Sequence, residues 1–172
     1  MKFLLAILLS ITVIGGNVKL KPGDKAPDFH AETTTGTHIS LRQYRGKDNV
    51  ILYFYPLDLS KGCSIEACSF RDHRKQFAAA HTVILGVSMQ DRAMHEKFTK
   101  SDKLNFPLLV DTHRTIAKEY GVPLAFKKYD ARWTFLIGKD GKIVKTYHHV
   151  NPITHIRQLL QDIAANTREH AK

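Results

Sequence analysis

YFYPLDLSKGCSIEACSFRD, residues 53–72, decides how the rest of this chain is read. It overlaps an apolar, β-rich run, NVILYFY at 49–55, of the kind that forms a strand buried on both faces. The run ends at Pro56, a short polar turn follows, and Cys63 opens a stretch of good helix formers over 64–80. Cys63 and Cys68 are the only cysteines among 172 residues. A thiol at a helix N-terminus with a lone partner close behind it points to redox chemistry at sulfur. In a regular helix, positions five apart are turned by roughly 140° and their Cα atoms stand roughly 8–9 Å apart. A disulfide needs a Cα separation below about 7 Å, so this pair bonds only if the helix start unwinds. That suits a switch better than a staple. A static disulfide, the ordinary use of two cysteines in an oxidising compartment, is the alternative.

Outward from this segment, strand and helix patterns alternate. Residues 20–47 read as an N-terminal β-hairpin around Thr35-Gly36-Thr37. TVILGVS at 82–88 is a second buried strand, followed by a helix at 91–101, a short strand at 106–110 and a helix at 113–120 ended by Gly121. WTFLIG at 133–138 and KIVKTY at 142–147 flank Lys139-Asp140-Gly141, whose Asp-Gly signals a hairpin. Pro152 to Ala165 is a final amphipathic helix, and the tail 166–172 reads as frayed. This order defines one α/β layered domain over 20–165, with chemistry expected at the carboxyl ends of the strands. Arg132, at the start of the 133–138 strand, reaches the Cys63 edge if that strand runs antiparallel to the 49–55 strand.

The N-terminus carries a different message. Met1-Lys2 precedes the apolar run FLLAILLSITVI, with Gly15 and Gly16 after it. These are the parts of a signal peptide over 1–16, with an uncleaved anchor as the alternative. The run is short of the roughly 20 residues a spanning helix needs. The expected location is therefore periplasmic or secreted, or membrane-anchored facing outside the cytoplasm. No stable membrane insertion is expected after cleavage. The net charge of +10 raises nucleic acid as a partner, but the charges are scattered and no nucleic-acid motif accompanies them, so no specific nucleic-acid binding is expected.

A free thiol, with a pKa near about 8.5, is only a few per cent thiolate at neutral pH. Thiols beside a helix N-terminus and a cation titrate at roughly 3.5–7.5. Intrinsic nucleophilicity falls along with pKa, so a fast thiol enzyme must also stabilise the charge leaving on its substrate. Ser60 offers a hydroxyl for that, Arg132 a fork of N–H donors, and Pro56 a stiff, water-shedding turn.

Pro56, Ser60 and Cys63 resemble the Pro-x-x-x-Thr/Ser-x-x-Cys motif of peroxiredoxins, and residues 53–72 as a whole resemble the peroxiredoxin Q, or bacterioferritin comigratory protein, subfamily of the AhpC/TSA superfamily. The likeness extends to KPGDKAPDF at 21–29, FPLLVD at 106–111 and RWTFLI at 132–137. It implies a thioredoxin-like fold with a central mixed sheet flanked by helices. Cys63 would be the peroxidatic nucleophile, Cys68 the resolving thiol, and Ser60 and Arg132 the peroxide holders. The implied reaction reduces hydrogen peroxide and organic hydroperoxides to water and alcohols. A thioredoxin-like or other dithiol donor then reduces the disulfide, in a monomer or weak dimer. Ser60 stands where Thr is commoner, and Lys61 where Pro is frequent.

Two other functions compete. An exported thioredoxin-like thiol-disulfide oxidoreductase would want Cys-x-x-Cys rather than this wider spacing. A non-enzymatic domain with a structural disulfide would need no activated thiol. No cofactor or metal is expected, because the ten histidines include no His-x₃-His or His-Glu-x-x-His pattern. Asp58, Glu66 and Asp72 lie near the thiol, but a thiolate already formed needs no base. Glu66 reads as a first-turn acid favoured by the helix dipole, and Asp72 as a partner for nearby basic residues.

Overall fold

The computed structural model describes residues 19–169, so the segment read as a signal peptide, 1–16, lies outside the described residues. A hairpin of β1 (His30–Glu32) and β2 (His38–Ser40) comes first, closed by a turn in which the hydroxyls of Thr33, Thr35 and Thr37 bond one another. A 3-10 turn at Leu41–Tyr44 leads into β3 (Asn49–Phe54), α1 (Lys61–Ala79), β4 (Thr82–Ser88) and α2 (Arg92–Ser101). Next come β5 (Leu108–Val110), α3 (Thr115–Glu119), a small hairpin of β6 (Leu124–Ala125) and β7 (Tyr129–Asp130), then β8 (Trp133–Ile137), β9 (Ile143–Tyr147) and α4 (His155–Glu169).

The main sheet runs β5-β4-β3-β8-β9. β3, β4 and β5 are parallel, while β8 is antiparallel to both β3 and β9. Every residue of β3 is buried, as its unbroken apolar run requires of a central strand. Alternate side chains feed two cores. Val50, Leu52 and Phe54 pack with the hairpin, the 3-10 turn and α3. Ile51, Tyr53 and Tyr55 pack with Phe70 and Phe77 of α1, Phe98 of α2, and Ile156, Leu159 and Ile163 of α4. This is the thioredoxin-like arrangement with its N-terminal hairpin.

The differences from the sequence reading are local. α1 begins at Lys61, ahead of Cys63. α4 begins at His155 and continues through Glu169, so 166–169 is helix rather than frayed tail. The β6–β7 hairpin has no sequence signal, because its turn places Phe126 and Lys127 at φ +53° and +56°, where Asn or Gly is the usual choice. Near the β8–β9 turn, Gly141 does adopt the positive φ, +79°, that the Asp-Gly pair announces.

Candidate active site

β3 pairs antiparallel with β8, with Phe54 opposite Trp133. The residues just beyond that pair, Tyr55 on one strand and Arg132 on the other, therefore meet at the same sheet end where α1 begins. Cys63 lies in the first turn of α1 and is only 1% exposed. Arg132 donates from Nη2 to Cys63 Sγ at 3.2 Å. Its Nη1 donates to Glu66 Oε2. The guanidinium fork thus spans the thiol and a carboxylate one helical turn further on. Its positive charge lies against the sulfur, on the side where the helix start adds its own partial positive charge.

Glu66 is a correction to the sequence reading. It lies beyond the first turn of α1, which holds no acid, and it is fully buried, 0% exposed. Burial raises its carboxyl to about 7 against the downward pull of Arg132. Its spacing of three from Cys63 places it on the thiol's own helix face, a signal the sequence does carry. Tyr53 stands on the same side of the sheet. Its phenol is held well above the usual range, first by burial and then by the negative charge at Glu66 and Cys63. Asp72, by contrast, pairs with Arg71 at 2.8 Å as expected.

Ser60 is the N-cap residue of α1, three residues before Cys63, and its hydroxyl makes no capping bond. Pro56 is half-buried at the head of the loop. Leu59, one residue before Ser60, takes φ +61°, a left-handed conformation that is costly for a residue with a Cβ. Cys68 lies further along α1, half-buried, and its Sγ donates to Asp102 Oδ2 at 3.9 Å. Burial pushes this thiol up, Arg71 pulls it down, and Asp102 and Asp72 push it up again. Both cysteines are free thiols on one unbroken helix.

Cys63 and Arg132 meet at the carboxyl end of β3, and Pro56 and Ser60 lie in the loop that joins β3 to α1 there. Cys68 sits apart on the α2 side of α1. A cleft of about 370 Å³ between the β1–β2 hairpin and α3 contains none of them. A substrate as small as a peroxide needs no such volume. Among the described residues no cluster of three or more His, Cys, Asp or Glu side chains is placed to hold a metal ion, and no helix is long and apolar enough to cross a membrane. Asp58, set aside in the sequence as an unneeded base, is buried against Tyr55 and His95, a pairing the sequence does not mark.

A thiol at the start of a helix, backed by an arginine from a neighbouring strand of this sheet, defines a thioredoxin-fold thiol oxidoreductase. Residues 22–146 match the AhpC/TSA family. The chain is 37% identical over 147 residues to the peroxiredoxin Bcp of Bacillus subtilis strain 168, a match covering 82% of this chain and 93% of that protein. The crystal structure of peroxidoxin BcpB from Mycobacterium tuberculosis superposes with a TM-score of 0.79 at 31% identity, covering 86% of this chain and 98% of that one. The bacterioferritin comigratory protein of Xanthomonas campestris, whose structures concern alkyl peroxide reduction, gives 0.77 at 26% identity, covering 89% and 98%. This chain belongs to the AhpC/TSA family, among its peroxiredoxin Q/Bcp members. It is a thiol peroxidase, an oxidoreductase, and a disulfide reductase or inert binding domain is not favoured.

Proposed function

We propose that Cys63 is the peroxidatic nucleophile and Cys68 the thiol that resolves it, with hydrogen peroxide and alkyl hydroperoxides as substrates. The contact that carries this reading is Arg132 Nη2 at 3.2 Å from the buried Cys63 Sγ. The thiolate attacks the terminal oxygen of ROOH, and the O–O bond breaks. Sulfur gains OH, and RO⁻ leaves to take up a proton as water or an alcohol. Arg132 lies where it can meet the negative charge as it moves from sulfur to the departing oxygen, and the Ser60 hydroxyl can hold the peroxide in line. Pro56 closes the pocket against water. Glu66 holds the guanidinium from the far side and fixes its direction.

Resolution condenses Cys63–SOH with Cys68–SH to a disulfide and water. The two cysteines stand five positions apart on one helix, so the first turn of α1 must unwind for their sulfurs to meet. Until then Cys68 is kept as a thiol by burial and by the carboxylates of Asp102 and Asp72. A thioredoxin-like dithiol donor then reduces the disulfide. Export from the cytoplasm is read from residues 1–16 and is tested by sequencing the N-terminus of the fractionated protein. A monomer or weak dimer is the accompanying expectation. Cys63→Ser abolishes peroxide consumption, while Cys68→Ser completes one oxidation but loses turnover with a dithiol donor. Undiminished turnover in the Cys68 variant removes the resolving role.

A further inference from the structure

The peroxidase chemistry leaves unused a buried cluster of ionisable groups centred on Asp58. Asp58 sits inside the loop that carries Ser60 to Cys63, and its carboxylate is fully enclosed. Tyr55 donates its hydroxyl to Oδ1 at 2.7 Å, and Oδ2 lies 2.7 Å from Nδ1 of His95 on α2. The other ring nitrogen, Nε2, is 3.1 Å from the carbonyl of Leu109 on β5. The backbone N–H of Asp58 donates to Oε1 of Gln90, which also accepts from the hydroxyl of Ser88 at the end of β4. One aspartate thus ties the loop to β3, β4, β5 and α2.

The protons of this cluster follow from the partners. A carbonyl only accepts, so Nε2 of His95 carries hydrogen. Tyr55 donates to Oδ1 of Asp58 and also lies 3.4 Å from Nδ1 of His95, and the 2.7 Å contact between Nδ1 and Oδ2 is a hydrogen bond that shares one proton. The hydrogen bonds of these side chains run to one another and to Leu109, not to Cys63, Ser60 or Arg132, so the group holds the loop and does not act on the peroxide. What they hold is a loop that does not rest easily. Leu59 takes φ +61° between Asp58 and Ser60, and a residue with a Cβ keeps that conformation only where its surroundings enforce it.

We propose that Tyr55, Asp58 and His95 form a lock that keeps the Ser60–Cys63 turn in its peroxide-ready arrangement, and that its strength sets how oxidised enzyme divides between resolution and over-oxidation. The proposal rests on the roles given above to Cys63 and Cys68. The sulfenic acid has two fates. Cys63–SOH and Cys68–SH can condense to a disulfide and water, or Cys63–SOH can take oxygen from a second ROOH, giving Cys63–SO₂H and ROH. The first fate needs the helix start undone, and the second needs the intact peroxide pocket. Whatever anchors the loop therefore favours both the initial oxidation and over-oxidation, and opposes resolution. Asp58 and His95 are positioning residues for both steps.

The test compares Asp58→Ala with Asp58→Asn in the full chain. Asparagine can donate from its amide to an unprotonated Nδ1 and still accept from Tyr55, so it rebuilds the lock without charge; alanine removes it. Reduced protein is mixed with hydrogen peroxide in a stopped-flow instrument, and oxidation of Cys63 and disulfide formation are followed as separate phases. Over-oxidation is read as the mass gain of two oxygens. Asp58→Ala slows the first phase by roughly tenfold to a hundredfold, the scale of a displaced catalytic group. It speeds the second phase and raises the peroxide concentration needed for half over-oxidation. Asp58→Asn behaves close to the parent in all three. Where Asp58→Ala does not fold, Tyr55→Phe, which deletes one hydroxyl, is measured in its place with the same signs expected. Two phases that slow together, or that do not change, overturn the lock. Persistent peroxide consumption in Cys63→Ser instead overturns the underlying assignment of the thiol.

Discussion

Replacing Arg132 by alanine separates what the thiol does alone from what the guanidinium adds. The side chain has two contacts, Nη2 to Cys63 Sγ at 3.2 Å and Nη1 to the carboxylate of Glu66. Two unit charges at 3.2 Å attract by about 5 kcal/mol at an effective dielectric of about 20. That is a ceiling, because attraction already present before the oxygen is attacked lowers no barrier. Only the share that grows as charge passes to the leaving oxygen accelerates the step. Removal of a single oxyanion donor costs roughly 10²–10³ in rate, or about 3–4 kcal/mol, and that is the expected loss. Arg132→Lys keeps the charge but not the fork, so it meets Cys63 or Glu66 but not both, and recovers only part of the rate. The assay is stopped-flow oxidation of reduced protein by hydrogen peroxide, followed by fluorescence of the single tryptophan, Trp133, adjacent to Arg132. An alanine variant oxidised within a few-fold of the parent rate would refute the role given to Arg132.

The carboxyl of Glu66, raised to about 7 in the fold, makes stability depend on pH. The folded chain keeps this proton while the unfolded chain has lost it, so the contribution is whole at low pH and is lost as pH rises through about 7, at up to roughly 1.4 kcal/mol per unit. Urea unfolding at pH 5 and pH 7.5 should show this slope, and Glu66→Gln should flatten it; an equal slope in the variant contradicts the assignment. Gly86 lies in the middle of β4, where an added Cβ would stand 2.7 Å from Leu108 Cδ2 and 2.8 Å from the Tyr53 hydroxyl. Gly86→Ala is therefore expected to lose about 1–3 kcal/mol by overpacking, read as a lower urea midpoint with an unchanged m-value.

The legible parts of this molecule are those in which neighbours in sequence decide the outcome. The run at 49–55 announces a central strand because every side chain is apolar, and Cys63 announces a site because Pro56 and Ser60 precede it at fixed offsets. The pairing of Arg132 with that site also follows from sequence order, once β8 is antiparallel to β3. The illegible parts depend on which face of an element is covered. Glu66 has the look of a helix-start acid, and only the packing of α1 on the sheet makes it a buried partner of Arg132. Asp58 and His95 meet across 37 positions, with nothing local to either to mark the pairing. The turn at Phe126 and Lys127 stays hidden for the opposite reason: its local residues argue against the conformation the chain adopts.

Peptide mass mapping after one equivalent of peroxide shows whether Cys63 reacts first and Cys68 closes on it. A single intramolecular Cys63–Cys68 disulfide is expected in the parent chain, and a trappable sulfenic acid at Cys63 in Cys68→Ser. Peroxide consumed while the Cys63 thiol remains free, or while Cys68 alone is oxidised, would contradict that order.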